Sequence, residues 1–237
     1  MKVANALPAG WADTISPDYP RLGLGLDIGT TTRQKSNPSV LSLIQEVGMT
    51  FYVRLLVSWK TKDPAIARAL IGLVLDGIPH GLRARRLCID ATSERYFAAD
   101  LRRDFSSRIP IDLVVSSEAT EYMGERMIFK QYLGNLLVNT IEDGYLALPK
   151  ENWIQKDFRS VVRDRGTFEA EVDEDGRHGD CFDSVKLGLH ALIAQGGPLQ
   201  AAASQVGTYR SVGSPSVNRK RPNHSSDHGS HASLSMP

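Results

Sequence analysis

RLGLGLDIGTTT, residues 21–32, decides how the rest of the chain is read. Leu22, Leu24 and Leu26 alternate with Gly23 and Gly25, the period of a β-strand that buries one face. Asp27 follows, and Ile28-Gly29-Thr30-Thr31-Thr32 breaks the run. An acid at the end of an apolar strand, beside a glycine turn, is placed to hold a cation at a rigid edge. Asp27 is therefore read as the first of three carboxylates gathered around divalent metal.

Around this strand the same patterning predicts further elements. Residues 39–47 and 50–59 read as strands joined near Gly48, a hairpin signal. Asp63-Pro64 opens a helix with Ile66, Leu70, Leu73 and Val74 on one stripe, ending near Gly77 and Pro79. Arg85 to Asp90, RRLCID, is a short apolar strand that ends in a second acid. Ala91-Thr92-Ser93 turns the chain into a helix from about Glu94 to Phe105, and 111–115 reads as a buried strand. Residues 121–142 read as one long amphipathic helix with Met127, Leu133, Leu136, Leu137 and Ile141 facing inward, ended by Gly144 before an extended piece at 145–149. Segments 158–165 and 167–172 flank Gly166 as a late hairpin, followed by the acidic turn Asp173-Glu174-Asp175-Gly176. Gly179-Asp180 caps a final helix through Val185, Leu187, Leu189 and Leu192, and Gly196-Gly197-Pro198 stops it. This order predicts an α/β fold, a mixed sheet with helices on its faces and an extra hairpin late in the chain.

Two flanks lie outside that pattern. Residues 1–20, with Pro8, Pro17 and Pro20, read as a lead-in or linker. Residues 196–237 are rich in Ser, Gly, Ala, Pro and His without a sustained apolar period, and read as a disordered tail. The tail carries Arg210, Arg219, Lys220 and Arg221 against Asp227, which leaves the domain at 21–195 slightly acidic.

Composition narrows the class. The 237 residues are 41% hydrophobic and 23% charged, ordinary for a globular protein, and the formal net charge of +1 announces no nucleic-acid partner by bulk charge. Cys88 and Cys181 are too few for a disulfide scaffold and fit a reducing compartment. No apolar run is long enough to span a bilayer, and the first residues lack the apolar stretch of a secretory signal. The expectation is a cytoplasmic protein with no membrane partner.

Asp27 and Asp90 both end predicted strands, and in open α/β sheets the functional crevice lies at that edge. Asp180 opens the last helix, and Asp183 stands one turn further along the same face. This combination resembles the ribonuclease H-like nucleases, and more closely the nuclease domain of the large terminase subunit of tailed bacteriophages. LGLDIGTTTRQKSNPSV, CIDATSE and GRHGDCFDSVKLGLHAL carry the resemblance, together with the stretch from Lys130 to Leu148-Pro149. It covers roughly residues 21 to 195.

The resemblance implies a metal-dependent endonuclease that cleaves double-stranded DNA during viral genome packaging in the host cytoplasm. Carried over by position, Asp27, Asp90 and Asp180 are the expected catalytic metal ligands, and Asp183 a fourth acid. The expected cofactor is a pair of Mg²⁺ or Mn²⁺ ions, hard cations that prefer oxygen ligands and stabilise both the attacking and leaving oxygens of a phosphodiester. The family's motor also has an ATPase domain, and this chain has no G-x-x-x-x-G-K-[ST]. It is expected to be the nuclease part alone, with the terminase ATPase domain or small subunit and the portal as partners.

Each acid also has a plain structural role open to it. Asp27 serves as a turn cap in that reading, Asp90 and Asp180 as helix caps, and Asp183 as a first-turn acid favoured by the helix dipole. Cys88 and Cys181 are expected to pack as small hydrophobes rather than bind metal. DNA contacts are expected from Lys130, from Arg159, Arg163 and Arg165 on the late hairpin, and from His178. Further basic candidates are Arg33, Lys35, Arg102 and Arg103, with Arg219-Lys220-Arg221 in the tail. Competing readings are a Holliday-junction resolvase or transposase-type nuclease of the same fold, an actin-like or sugar-kinase ATPase suggested by DIGTT, and a non-catalytic binding module.

Overall fold

The computed structural model describes residues 7–29, 37–122, 124–164, 166–170 and 178–194. Ten strands and five helices follow one another among them. Strands β1 (Arg21–Asp27), β2 (Ser39–Val47) and β3 (Thr50–Trp59) come first, then α1 (Pro64–Gly77), β4 (Arg83–Asp90), α2 (Arg95–Phe105) and β5 (Ile111–Val114). Next come β6 (Ala119–Tyr122), β7 (Glu125–Ile128), α3 (Phe129–Glu142) and β8 (Leu146–Ala147). The described chain closes with α4 (Asn152–Ser160), β9 (Val161–Asp164), β10 (Thr167–Ala170) and α5 (Asp180–Ile193).

Six strands form one mixed sheet in the order β5-β4-β1-β2-β3-β8. β1, β2 and β3 are antiparallel neighbours, whereas β4 runs parallel to β1 and β5 parallel to β4. The alternation in β1 sorts its two faces. Leu22, Leu24 and Leu26 are fully buried in a core shared with Leu70, Ile71 and Val74 of α1 and Ala98 and Leu101 of α2. The Gly23-Gly25-Asp27 row therefore faces the other layer, where α3 and α5 pack through Leu133, Leu137, Val185 and Leu189.

Glycine at 23 and 25 has a steric cause. A Cβ on Gly25 would lie 2.0 Å from the Ser184 carbonyl oxygen, and one on Gly23 would lie 2.7 Å from that of Gly188. Helix α5 thus rests directly on the backbone of β1. Gly25 meets the earlier part of α5 and Gly23 the later part, so the helix N-terminus sits at the strand's C-terminal end. Ser184 Oγ donates to the Gly25 carbonyl at 3.0 Å, and Ser42 Oγ donates to the Ser184 carbonyl at 2.9 Å, which locks the contact.

The ribonuclease H-like expectation holds, with differences in the middle of the chain. The long helix expected over 121–142 is a hairpin, β6–β7, followed by the shorter α3. Gly124 turns the chain there with φ of +83°, a left-handed conformation that a helix does not accommodate. The late hairpin is present as β9–β10, but Phe158 belongs to α4, a helix missed because it runs into β9 without a break. Upstream of β1, Ile15 is buried in the first core and Trp11 packs against it. The Gln45 side chain holds this segment, with Nε2 donating to the Ser16 and Tyr19 carbonyls at 2.7 and 2.8 Å. The acidic turn at 173–176 and the tail at 196–237 lie outside the described residues, and no described helix is long and apolar enough to cross a membrane.

Candidate functional site

Sheet register brings the first two acids together. The parallel pairing that sets Leu26 against Ile89 carries Asp27 alongside Asp90 at the end of both strands. Leu87 and Ile89 lie in the core with α1 and α2, whereas Cys88 lies in the core with α3 and α5. Asp90 therefore shares the α5-facing side of the sheet with Asp27. The N-terminus of α5 supplies Asp180 and Asp183 to the same edge.

Electrostatics confirm the proximity. The Asp27 carboxyl is held well above the usual carboxylate range by burial, then by the negative charges of Asp183, Asp90 and Asp180, with Lys186 acting in the opposite direction. Asp180 is only 2% exposed. Its carboxyl is pushed up to about 7, chiefly by burial, while the His178 N–H lowers it and the charges of Asp157 and Asp183 raise it further. Four carboxylates thus act on one another at one sheet edge.

Each is also engaged locally. Asp90 Oδ1 accepts from the Thr92 N–H at 2.8 Å, and its Oδ2 accepts from Ser116 Oγ at 3.5 Å. Asp180 Oδ2 accepts from the His178 N–H at 3.2 Å. Asp183 Oδ1 meets Lys186 Nζ at 2.5 Å. Among the described residues, no three His, Cys, Asp or Glu side chains form a ready-made cluster around one ion. The chemistry of the donors nonetheless suits a hard divalent cation: all four are carboxylates, and the charges of their neighbours raise Asp27 and Asp180, where a positive charge would relieve them.

Two residues at this edge carried no signal that the sequence reading used. Asp157 of α4 is buried, and its Oδ1 accepts from the Phe182 N–H at 3.1 Å, capping the first turn of α5. It escaped notice together with its helix. Lys186 follows Asp183 by three residues and is 2% exposed. Its one-turn spacing from Asp183 was the available clue.

The expected DNA-contacting residues are distributed unevenly. The Lys130 N–H donates to the Ser116 carbonyl, so the start of α3 is tied to the loop that also holds Asp90. Arg159 is exposed in the last turn of α4. Arg163 is exposed on β9, with its guanidinium 5.8 Å from the ring centre of Phe168. Phe168 anchors the hairpin, fitting the notch left by Gly134 and lying 5.8 Å from Phe182. The hairpin base reaches the α5 cap, since a Cβ on Gly179 would meet Val161 and Ala170. Arg102 and Arg103 lie in the last turn of α2, at the end remote from Asp90, and Arg103 pairs with Asp100 at 2.9 Å. Arg33, Lys35 and Arg165 lie outside the described residues. Cys88 and Cys181 are both buried, as expected, and burial pushes the Cys88 thiol up.

No family model and no curated protein matches the sequence. Solved structures do match. The large terminase nuclease of thermophilic phage G20c with bound magnesium is 18% identical, with 73% of this chain and 82% of that chain covered and a TM-score of 0.54. The large terminase nuclease domain of Thermus phage P74-26 is 16% identical, over 77% of this chain and 85% of that one, with a TM-score of 0.53. Over about three quarters of its length, the chain carries the ribonuclease H-like fold of large terminase nuclease domains.

Proposed function

We propose that this protein is a divalent-metal-dependent endonuclease that cuts double-stranded DNA during viral genome packaging. The observation that carries the proposal is the gathering of Asp27, Asp90, Asp180 and Asp183 at one sheet edge. The shared fold with terminase nucleases supports it.

In this reading Asp27, Asp90 and Asp180 would hold Mg²⁺ or Mn²⁺. When bound, such an ion polarises the scissile phosphate and supplies an activated water. The chain's own contribution is rigidity. Two acids stand on neighbouring strands, and the third is on a helix pressed onto one of them. Protons held by Asp27 and Asp180 must leave when metal binds, so affinity falls as pH drops through about 7. His178, two residues before Asp180, is assigned to the DNA phosphates together with Lys130, Arg159, Arg163 and Arg165, as the basic side chains of the α3 start, of α4 and of the late hairpin. Phosphate contacts position the duplex without reading its sequence. The terminase ATPase domain or small subunit and the portal are the proposed partners, in the host cytoplasm.

Plasmid digestion tests this directly. The parent is expected to nick and linearise supercoiled DNA with Mn²⁺ or Mg²⁺ and to be silent in EDTA, and Asp90→Ala to be silent throughout. Cutting that survives in Asp90→Ala, or the absence of cutting by the parent, would overturn the proposal. Saturable ATP binding by the parent would favour the rival ATPase reading.

A further inference from the structure

Asp90 is held at both of its carboxylate oxygens. Strands β4 and β5 stay paired to their ends, with Asp90 opposite Val114 and the Ala91 N–H donating to the Val114 carbonyl at 2.7 Å. The loop that leaves β5 therefore stands beside the loop that leaves β4. Two bonds fix the backbone of Ser116 in that loop. Its N–H donates to Thr92 Oγ1 at 2.9 Å, and its carbonyl accepts from the Lys130 N–H at 2.9 Å. Thus anchored, Ser116 Oγ donates to Asp90 Oδ2 at 3.5 Å, while the Thr92 N–H donates to Asp90 Oδ1 at 2.8 Å. Each oxygen of Asp90 meets a donor and keeps a lone pair for another partner.

We propose that Ser116, set in place by the Thr92 hydroxyl, is a positioning residue that limits how the Asp90 carboxylate turns and so strengthens its hold on a metal ion. The inference rests on the metal-dependent reading above and names what orients one of its ligands. A ligand carboxylate binds better when hydrogen bonds around it fix its direction. An aspartate at a strand end otherwise samples several rotamers, and binding must offset the entropy lost when it stops. Ser116 is half-buried, where water competes less for its bond. The 3.5 Å contact is long beside the ~2.7 Å usual for a hydroxyl on a carboxylate. It therefore guides Asp90 without clamping it, and Oδ2 can turn onto an ion while Oδ1 stays on the Thr92 N–H.

Metal affinity tests this without relying on turnover. The full chain is titrated with Mn²⁺, free metal is followed by its electron-spin signal, and folding is followed by melting in EDTA. Ser116→Ala is expected to bind Mn²⁺ about 10–100-fold more weakly than the parent while melting at the same temperature in EDTA. Ser116→Thr keeps the hydroxyl and is expected to restore the affinity. Thr92→Val keeps the shape of Thr92 but removes the acceptor that fixes Ser116; it is expected to weaken Mn²⁺ binding as well, and Thr92→Ser to restore it. This second pair decides the matter should Ser116→Thr not fold. Ser116→Ala that binds Mn²⁺ as tightly as the parent, or a loss that the retained hydroxyl restores in neither pair, would overturn the inference and leave the nuclease reading standing. A parent that binds no Mn²⁺ would overturn both.

Discussion

Asp180→Asn removes a charge that burial disfavours, and its effect on stability is open to calculation. In the native protein the Asp180 carboxyl titrates near 7, because burial and the charges of Asp157 and Asp183 disfavour its ionised form. Unfolded, an aspartate ionises near 4. Between those values the unfolded chain has released a proton that the native chain retains, so stability falls as pH rises through the window and levels off above about 7. A gap of about three pH units corresponds to roughly 4 kcal/mol at pH 8. Asparagine cannot ionise, and its side-chain oxygen still accepts from the His178 N–H. In EDTA, Asp180→Asn should melt on the order of 10 °C above the parent at pH 8, taking a few degrees per kcal/mol for a domain of this size. The gain should vanish near pH 4. Thermal unfolding followed by circular dichroism across pH 4 to 8.5 measures it. A variant no more stable than the parent at pH 8, or a gain independent of pH, would mean that Asp180 is not a buried acid of raised proton affinity. The same substitution should abolish stabilisation by Mn²⁺.

Other consequences are simpler. Millimolar Mn²⁺ should raise the parent's melting temperature, by about 2.7 kcal/mol of stability at a hundred times the dissociation constant, and an unchanged melting temperature would contradict metal binding. Gly25→Ala should cost several kcal/mol or prevent folding, because its Cβ would press to 2.0 Å from the Ser184 carbonyl; urea denaturation measures the loss. Arg163→Ala should weaken DNA binding and lower its salt slope by about one, read from binding isotherms at several salt concentrations. On the acid side, burial and then the Arg86 charge hold the His190 ring down to about 3. The unfolded ring takes a proton first, so stability should fall as pH drops from about 6.5 toward 3, and His190→Phe should flatten that branch in denaturation curves.

The sequence made much of this arrangement legible for physical reasons that can be named. Strands β2 and β3 were read to the residue, because their apolar patterning is long and Gly48 marks the turn between them. The alternation of leucine with glycine read β1 as a strand buried on one face; the structure buries both, because the glycines admit α5 to within contact of the strand. Asp27 and Asp90 were legible as strand ends, and their proximity follows from a register that no local pattern encodes. The middle of the chain misled. Met127 and Leu133 fit one helical stripe, but Gly124 in a left-handed turn makes the first part a hairpin. Helix α4 is nine residues long and passes straight into β9, so Phe158 read as the start of a strand, and Asp157 was lost with the helix. Lys186 stood in plain view one turn after Asp183. A lysine on a helix ordinarily points to water, and only packing on all sides of α5 buries this one.

Carboxylates from β1, β4 and α5 are proposed to serve a single metal centre. Crystals soaked in Mn²⁺ and measured at a wavelength where manganese scatters anomalously test it most directly. An anomalous peak is expected within coordination distance of carboxylate oxygens of Asp27, Asp90 and Asp180. A manganese peak elsewhere, or none at that sheet edge, would contradict it.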